Sequence, residues 1–331
     1  MGHGPPVHLI ASYPADGQGT NAPFNADVDC DEPSPDCAVP TNAAIELRFD
    51  RFLLPRGLDW GVSLYSGNPP ANGVGLRVEY DMIERVVVYR PTRSLVPNTL
   101  YTVRIFTYPS PGQGFWAVDD APLEEAGVPF RFSFSTGAGP RSLPAPASLP
   151  ADTCETMIQG PLATCTSCHV TKPNADTTPP SSVPPMGLDL SSPRGFYYTA
   201  IGQVAHQTET GNNAASAGLQ SPARFGVQMN IVDPESPATS YLMYKLLRKA
   251  ENFRPTGDCV TGYHPPVSEL DCQPPSDDEL FRLREWWVLG DPMPKDGTSS
   301  MGEAIPAATT REDLLRISKW IAAGAPCAPP H

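Results

Sequence analysis

The sequence predicts a two-domain chain, an all-β antiparallel sandwich followed by a small, mainly α domain. Three observations carry that expectation. Between 40 and 137, apolar and polar residues alternate with period two in short runs separated by Gly, Pro and Asn. From 151 onward the apolar residues recur at spacings of three and four, as on one face of a helix. Between these stretches, 138–150 is a Pro/Ala/Ser linker, expected to be extended and semi-rigid. A length of 331 residues fits two ordinary domains, and 41 prolines with 27 glycines favour loops and short elements over long helices.

Taken in order, residues 1–39 read as an irregular segment with turn chemistry at Ala15-Asp16-Gly17-Gln18-Gly19. Asp27, Asp29, Asp31, Glu32 and Asp36 cluster around Cys30 and Cys37. Alternating carboxylates can bind calcium, but the glycine and the closing glutamate of an EF-hand are not in place. A disulfide-closed acidic loop in water is the expectation. The β region, 40–137, then supplies six clear strands. Ile45, Leu47 and Phe49 alternate with Glu46, Arg48 and Asp50, which predicts a half-buried strand. Runs at 62–65, 76–80, 85–89, 100–107 and 130–137 follow, each closed by a turn signal or a Pro.

The residues Ile45-Glu46-Leu47-Arg48-Phe49-Asp50, Tyr89-Arg90-Pro91, Leu95 to Val103 and Phe132-Ser133-Phe134-Ser135-Thr136-Gly137 resemble the bacterial Ig-like domains of surface-layer and exported proteins. The resemblance implies a spacer or interaction module without catalytic residues. It departs at 108–129, where Gly112-Gln113-Gly114-Phe115-Trp116 and an acidic stretch extend the last hairpin. That insertion is expected to be an ornament on the sheet edge, with a binding loop as the alternative.

In the second half, 151–331, Asp152 or Thr153 is placed to cap a helix carrying Cys154 and Met157. Phe196, Tyr197, Ala200 and Ile201 fit one helix face. Ser236-Pro237 is expected to open a helix bearing Met243, Leu246, Leu247 and Ala250. Ser276 with Glu279, and Thr309 with Glu312, read as capping boxes ahead of two further helices, the last ending at Gly324.

Within this half lies Cys165-Thr166-Ser167-Cys168-His169. The C-x-x-C-H spacing is the attachment site of a c-type haem. Two thiols three positions apart form thioethers to one porphyrin, and the next residue offers its imidazole to the iron. A zinc site would need two more ligands at matching spacing, and no second Cys pair follows. His169 is thus the expected proximal ligand of a single covalent haem c. Candidates for the sixth ligand are Met186, Met229, Met243, Met293 and Met301, with His206 and His264. Met243 sits on an apolar helix face, where core packing is its expected role. Met293 sits in Asp291-Pro292-Met293-Pro294-Lys295, where flanking prolines stiffen the backbone.

The stretch 154–327 resembles a class I-like c-type cytochrome domain of exported bacterial proteins. Beside the haem motif, the matching residues are Met186-Gly187-Leu188-Asp189-Leu190, Val232-Asp233-Pro234-Glu235-Ser236-Pro237, Ser240-Tyr241-Leu242, Met293-Pro294 and Trp320-Ile321-Ala322-Ala323-Gly324-Ala325. The resemblance implies that Cys165 and Cys168 carry the thioethers, that His169 is the axial base and that Met293 is the axial sulfur. The chain departs from that pattern by a loop at 259–272 and a long run from 293 to 309, which sets Met301 in competition with Met293.

Eight cysteines are present, and the haem pair leaves six. Six allow about fifteen pairings; the expected ones are Cys30–Cys37, Cys259–Cys272 and Cys154–Cys327. Paired cysteines imply an oxidising compartment, as does covalent haem attachment in bacteria. No signal peptide is recognisable ahead of the Pro-rich start, so the sequence reads as a mature form with its export signal removed, periplasmic or at the cell surface. No run is long and apolar enough to span a bilayer. The net charge of −13 argues against nucleic acid and anionic membranes as partners. Lys172, Lys245, Lys249, Lys295 and Lys319 could ring a docking face for a redox partner protein, though solvated surface lysines are the plainer reading.

These readings converge on an exported monohaem electron carrier, not an enzyme, with the β domain as spacer or interaction module. One alternative is a haem enzyme or gas sensor with an open distal site. Another is a cell-surface interaction protein whose haem is mainly structural.

Overall fold

The strand pattern from the first half builds two sheets, and its buried positions explain their order. The computed structural model describes residues 4–23, 34–67, 72–141, 152–166, 169–170, 187–205, 229–253, 273–288, 293–294, 297–298, 304–305 and 309–327. The chain divides into two compact units, 1–147 with 260–273, and 148–259 with 274–331.

In the first unit, β1 (Val7–Tyr13), β2 (Ile45–Phe49), β5 (Leu76–Asp81), β6 (Val86–Pro91) and β8 (Leu123–Glu124) form one sheet in the order β5-β6-β2-β1-β8. β3 (Val62–Ser66), β4 (Gly73–Val74), β7 (Leu100–Ile105) and β9 (Arg131–Ser135) form the other, in the order β4-β3-β7-β9. All pairings in these two sheets are antiparallel except β1 with β8, where Val7 and His8 lie beside Leu123 and Glu124 in parallel. Val103, Phe132 and Phe134 in the second sheet and Ile45, Leu47, Phe49 and Tyr89 in the first are all buried, and they form the core.

Three expectations are corrected here. Residues 1–39 are not wholly irregular, because β1 lies inside them with Val7 and Leu9 buried. Val7-His8-Leu9-Ile10 alternates too weakly to announce a strand; pairing with β2 supplies what the local pattern lacks. The second correction concerns β2. Its position between β6 and β1 buries all five residues, including Glu46 and Arg48. On that second face Arg48 and Glu46 share the surface with Val86 and Val88, their register neighbours on β6. Arg48 is paired there with Glu84: its Nη1 donates to the carboxylate at 3.3 Å and to the Glu84 carbonyl at 3.1 Å.

The third correction concerns 108–129, whose middle, from 114 to 123, packs into the core and is not an edge ornament. Phe115, Ala117, Val118 and Ala121 are buried, and Leu123 enters β8. The Phe115 ring lies 4.8 Å from Phe49 and meets Tyr89 edge-on at 6.4 Å. A Cβ at Gly61 would stand 2.6 Å from the Phe115 ring, so only glycine lets the chain pass at that point. Asp119 is fully buried and accepts a 2.8 Å bond from Arg51, whose other terminal nitrogen donates to the Pro5 carbonyl. These contacts bury the middle of the insertion, while 109–111 and 124–127 stay exposed.

In the second unit, α1 (Cys154–Gln159), α2 (Ala163–Thr166), α3 (Pro193–Thr199), α4 (Tyr241–Leu247), α5 (Asp277–Arg282) and α6 (Arg311–Ala322) are short helices. The small strands β10 (Gly297–Thr298) and β11 (Ala304–Ile305) pair antiparallel. Thr153 caps α1 in a reciprocal box with Thr156, Ser192 caps α3 and Ser276 caps α5. Two expected starts move. Ser236-Pro237 opens only a 3-10 turn, and α4 begins after Ser240. α6 is capped by Thr310 with Asp313, one residue past the expected Thr309 and Glu312. Both pairs satisfy the same spacing, so register alone could not separate them. After α5 the chain widens to a π-turn over Leu283–Trp287, with Val288 N–H bonded to the Leu283 carbonyl at 2.9 Å.

The core of this unit is aromatic and aliphatic. Trp287 is fully buried and meets Tyr244 edge-on at 5.6 Å, while Trp320 meets Phe196 at 5.5 Å. Cys154 and Cys327 form a disulfide across 173 positions of sequence. Beside it Arg316 holds Asp152 at 2.7 Å, and that hydrogen bond raises the guanidinium pKa further. No helix among the described residues is long and apolar enough to cross a membrane.

Candidate functional site

The C-x-x-C-H motif starts on α2. Leu162 accepts the Cys165 N–H at 2.9 Å, and Thr166 folds its hydroxyl back onto the Ala163 carbonyl at 2.8 Å. Cys165 is buried and keeps its thiol. His169 donates its N–H to the Cys165 carbonyl at 2.9 Å, a bond of helical spacing. Thiol-bearing and imidazole-bearing residues are therefore one helical turn apart. His169 is half-buried, and its carbonyl accepts the Leu190 N–H at 2.8 Å, which ties the motif to the segment before α3. That segment is itself ordered by Asp189, whose carboxylate accepts from the Ser191 N–H and hydroxyl. Cys168 lies outside the described residues.

Met293, the other expected ligand, is half-buried, and Pro294 beside it is buried. Its backbone is held on both sides. The Met293 N–H donates to the Lys245 carbonyl at 3.4 Å, and the Met293 carbonyl accepts from Asn252 Nδ2 at 3.2 Å. Lys249 Nζ reaches the Pro294 carbonyl at 3.5 Å. Lys249 is buried, so it does not belong to a surface ring of docking lysines; Lys319 is exposed. Met229 and Met243 are fully buried in the apolar interior. Met186, Met301, His206 and His264 lie outside the described residues, as do Lys172 and Lys295.

Sequence reasoning missed Asn252. It is fully buried, and its amide joins three stretches of chain. Nδ2 donates to the Leu246 carbonyl at 2.6 Å as well as to Met293, and Oδ1 accepts the Thr309 N–H at 3.1 Å. No motif advertises it; the only available signal was a polar residue next to an apolar helix. Tyr241 at the start of α4 has its phenol pKa raised beyond the ordinary range by burial, with Arg248 opposing.

Of the expected disulfides, Cys154–Cys327 is present. Cys37 is disulfide-bonded with its partner outside the described residues, which also exclude Cys30, Cys259, Cys272 and most of the acidic cluster. Among the described residues, no three or more His, Cys, Asp or Glu side chains gather into a group that could hold a metal ion.

No family model matches the chain. No curated protein matches it either. Solved structures similar to it include the surface layer protein SbsC, domains 1–6, with 13% identity over 45% of this chain, 16% of that one and a TM-score of 0.26. They also include CopC from Methylosinus trichosporium OB3b, with 13% identity over 40% of this chain, 93% of that one and a TM-score of 0.24. This chain thus spans about a sixth of the SbsC chain it is similar to, matching 16% of its length. Likeness at these scores carries no argument about either unit.

The expected family is therefore corrected. The chain does not stand as a class I-like c-type cytochrome domain joined to a bacterial Ig-like domain, since no family model matches and no metal-holding group is gathered among the described residues. Two of the flanking motifs that suggested it have local explanations. Trp320 and Ile321 are the buried stripe of α6, and Gly324 ends that helix at φ 92°. Asp233 to Ser240 is a turn organised by the Asp233 carboxylate, which accepts from Asn230 and Thr239, and Glu235 N–H docks on the Ile321 carbonyl at 2.9 Å. A capped helix end and a carboxylate-centred turn recur in unrelated folds, so these residues do not identify one. What stands is the coarser fold, a β-rich multidomain chain with few, short helices.

Proposed function

We propose that this chain is an exported electron-transfer protein carrying one covalently bound haem c. Cys165 and Cys168 would form the thioethers, His169 would be the proximal ligand and Met293 the sixth. The observation that carries the reading is the C-x-x-C-H spacing, together with the 2.9 Å bond from His169 N–H to the Cys165 carbonyl. A buried thiol one turn from an imidazole supports this reading as part of the donor set that covalent attachment and axial ligation require, the second thiol being that of Cys168. When bound, the haem supplies reversible one-electron chemistry.

The protein's own contribution is to orient and to exclude. α2 sets the Cys165 thiol, and the Leu190 N–H fixes the backbone that carries His169. The hydrogen bonds on either side of Met293 hold that residue beside α4. A Met ligand would close the sixth position and raise the potential. The Cys154–Cys327 disulfide supports residence in an oxidising compartment, periplasm or cell surface. The β unit would act as spacer or interaction module, with a redox protein as partner.

The test is a visible spectrum of the chain matured in a haem-attaching periplasm, ferric and ferrous, with and without carbon monoxide, beside Met293→Ala. Expected are covalent haem after denaturation, a weak far-red sulfur-to-iron band and no carbon monoxide adduct, the last two lost in the variant. Ready carbon monoxide binding by the parent protein would instead assign an open distal site and hence catalysis or sensing. Absence of covalent haem would refute the proposal outright.

A further inference from the structure

Asn252 draws together more of the second unit than any residue with a proposed chemical role. Its side chain is fully buried. One amide joins the carbonyl of Leu246 at the end of α4, the carbonyl of Met293 and the N–H of Thr309 ahead of α6. The amide is the only side-chain group of its size that donates twice and accepts as well. An apolar replacement would leave two carbonyls and an N–H without it, and Asp would keep only the acceptor.

We propose that Asn252 is a positioning residue for Met293, fixing the peptide that carries this methionine relative to α4 and α6. The inference rests on the reading of Met293 as an iron ligand. The Met293 N–H already docks on the Lys245 carbonyl, so Asn252 closes the other side of the same residue. Two anchors, one before and one after the α-carbon, restrict rotation of the peptide that a single anchor would allow. Lys249 Nζ on the Pro294 carbonyl extends the clamp by one residue. A thioether is a weak neutral ligand on a flexible side chain, so its hold depends on how firmly the backbone presents it.

The test compares the haem-loaded parent, Asn252→Ala and the near-isosteric Asn252→Asp. In each, covalent haem content, far-ultraviolet helix signal, the far-red sulfur-to-iron band, reduction potential and carbon monoxide binding are measured. Expected in both variants are parental haem content and helix signal, a weakened band, a lower potential and carbon monoxide binding about tenfold tighter, the scale of one lost hydrogen bond. A folded variant that keeps the parental band, potential and carbon monoxide exclusion would overturn the proposal. So would loss of the helix signal in both variants, which would make Asn252 a structural residue only. A parent that lacks the band from the start refutes Met293 as ligand, and that failure is visible before either variant is read.

Discussion

Replacing Phe115 with Ala tests whether 108–129 is core or decoration. The ring is 2% exposed and rests 4.8 Å from Phe49. A buried Phe removes roughly 200 Å² from water, which at about 25 cal/mol per Å² is about 5 kcal/mol. Core Phe→Ala changes are generally measured at about 3–5 kcal/mol, because the cavity relaxes in part. With a urea slope of about 2 kcal/mol per M, the unfolding midpoint of the β unit should fall by about 1.5–2.5 M. The assay is urea denaturation of the full chain followed by circular dichroism of the β signal. Trp60→Ala is the control, since that side chain is 62% exposed, and it should shift stability by no more than about 0.5 kcal/mol. If Phe115→Ala behaved like the control, the segment would be an ornament after all, and the packing argument would fail.

Other expectations follow from the same contacts. Arg48→Met removes the 3.3 Å partner of the Glu84 carboxylate, which is only 2% exposed, and should cost about 3–5 kcal/mol, whereas Arg48→Met with Glu84→Leu should recover most of it in a double-mutant cycle. Replacing Cys154 and Cys327 with Ser opens a loop of 173 positions, worth about 5 kcal/mol by chain entropy; calorimetry should find the second unit melting far lower and the β unit little changed. Tyr13 has its phenol pushed up to about 12, chiefly by burial and then by Glu46, with Arg141 opposing. Its contribution is therefore complete below pH about 10 and is lost as pH rises to about 12, about 2–3 kcal/mol in all. Tyr89 and Tyr241 are raised in the same direction by burial. Alkaline unfolding curves should accordingly steepen above pH about 10, and Tyr13→Phe should flatten them.

Much of the β unit was legible because alternation is local. β2, β3, β5, β6, β7 and β9 fall where period two placed them, within a residue or two. What was illegible depended on neighbours. Nothing in Glu46 or Arg48 says that β1 and β6 will flank their strand, or that Glu84 will meet the guanidinium. Likewise Leu123 becomes core because the chain returns to pair with Val7 and His8, and Phe115 because its ring reaches Phe49. In the helical unit the caps at Thr153 and Ser276 were readable from hydroxyl spacing, while the choice between Thr309 and Thr310 was not. The haem motif was read from chemistry alone and remains the basis of the proposal. The family was read from that motif together with flanking ones, and those at 233–240 and 320–324 are explained just as well by a local turn and a capped helix. Asn252 carried no motif, since its value lies in joining residues 246, 293 and 309, which only the fold brings together.

The Cys154–Cys327 bond turns the stretch between these residues into a covalent ring. A protease that cuts that ring once, anywhere from 155 to 326, releases no fragment. Both pieces stay attached and run as one species until a reductant is added. A single nick in this ring would then be survivable, because the two pieces stay tethered at a high effective concentration.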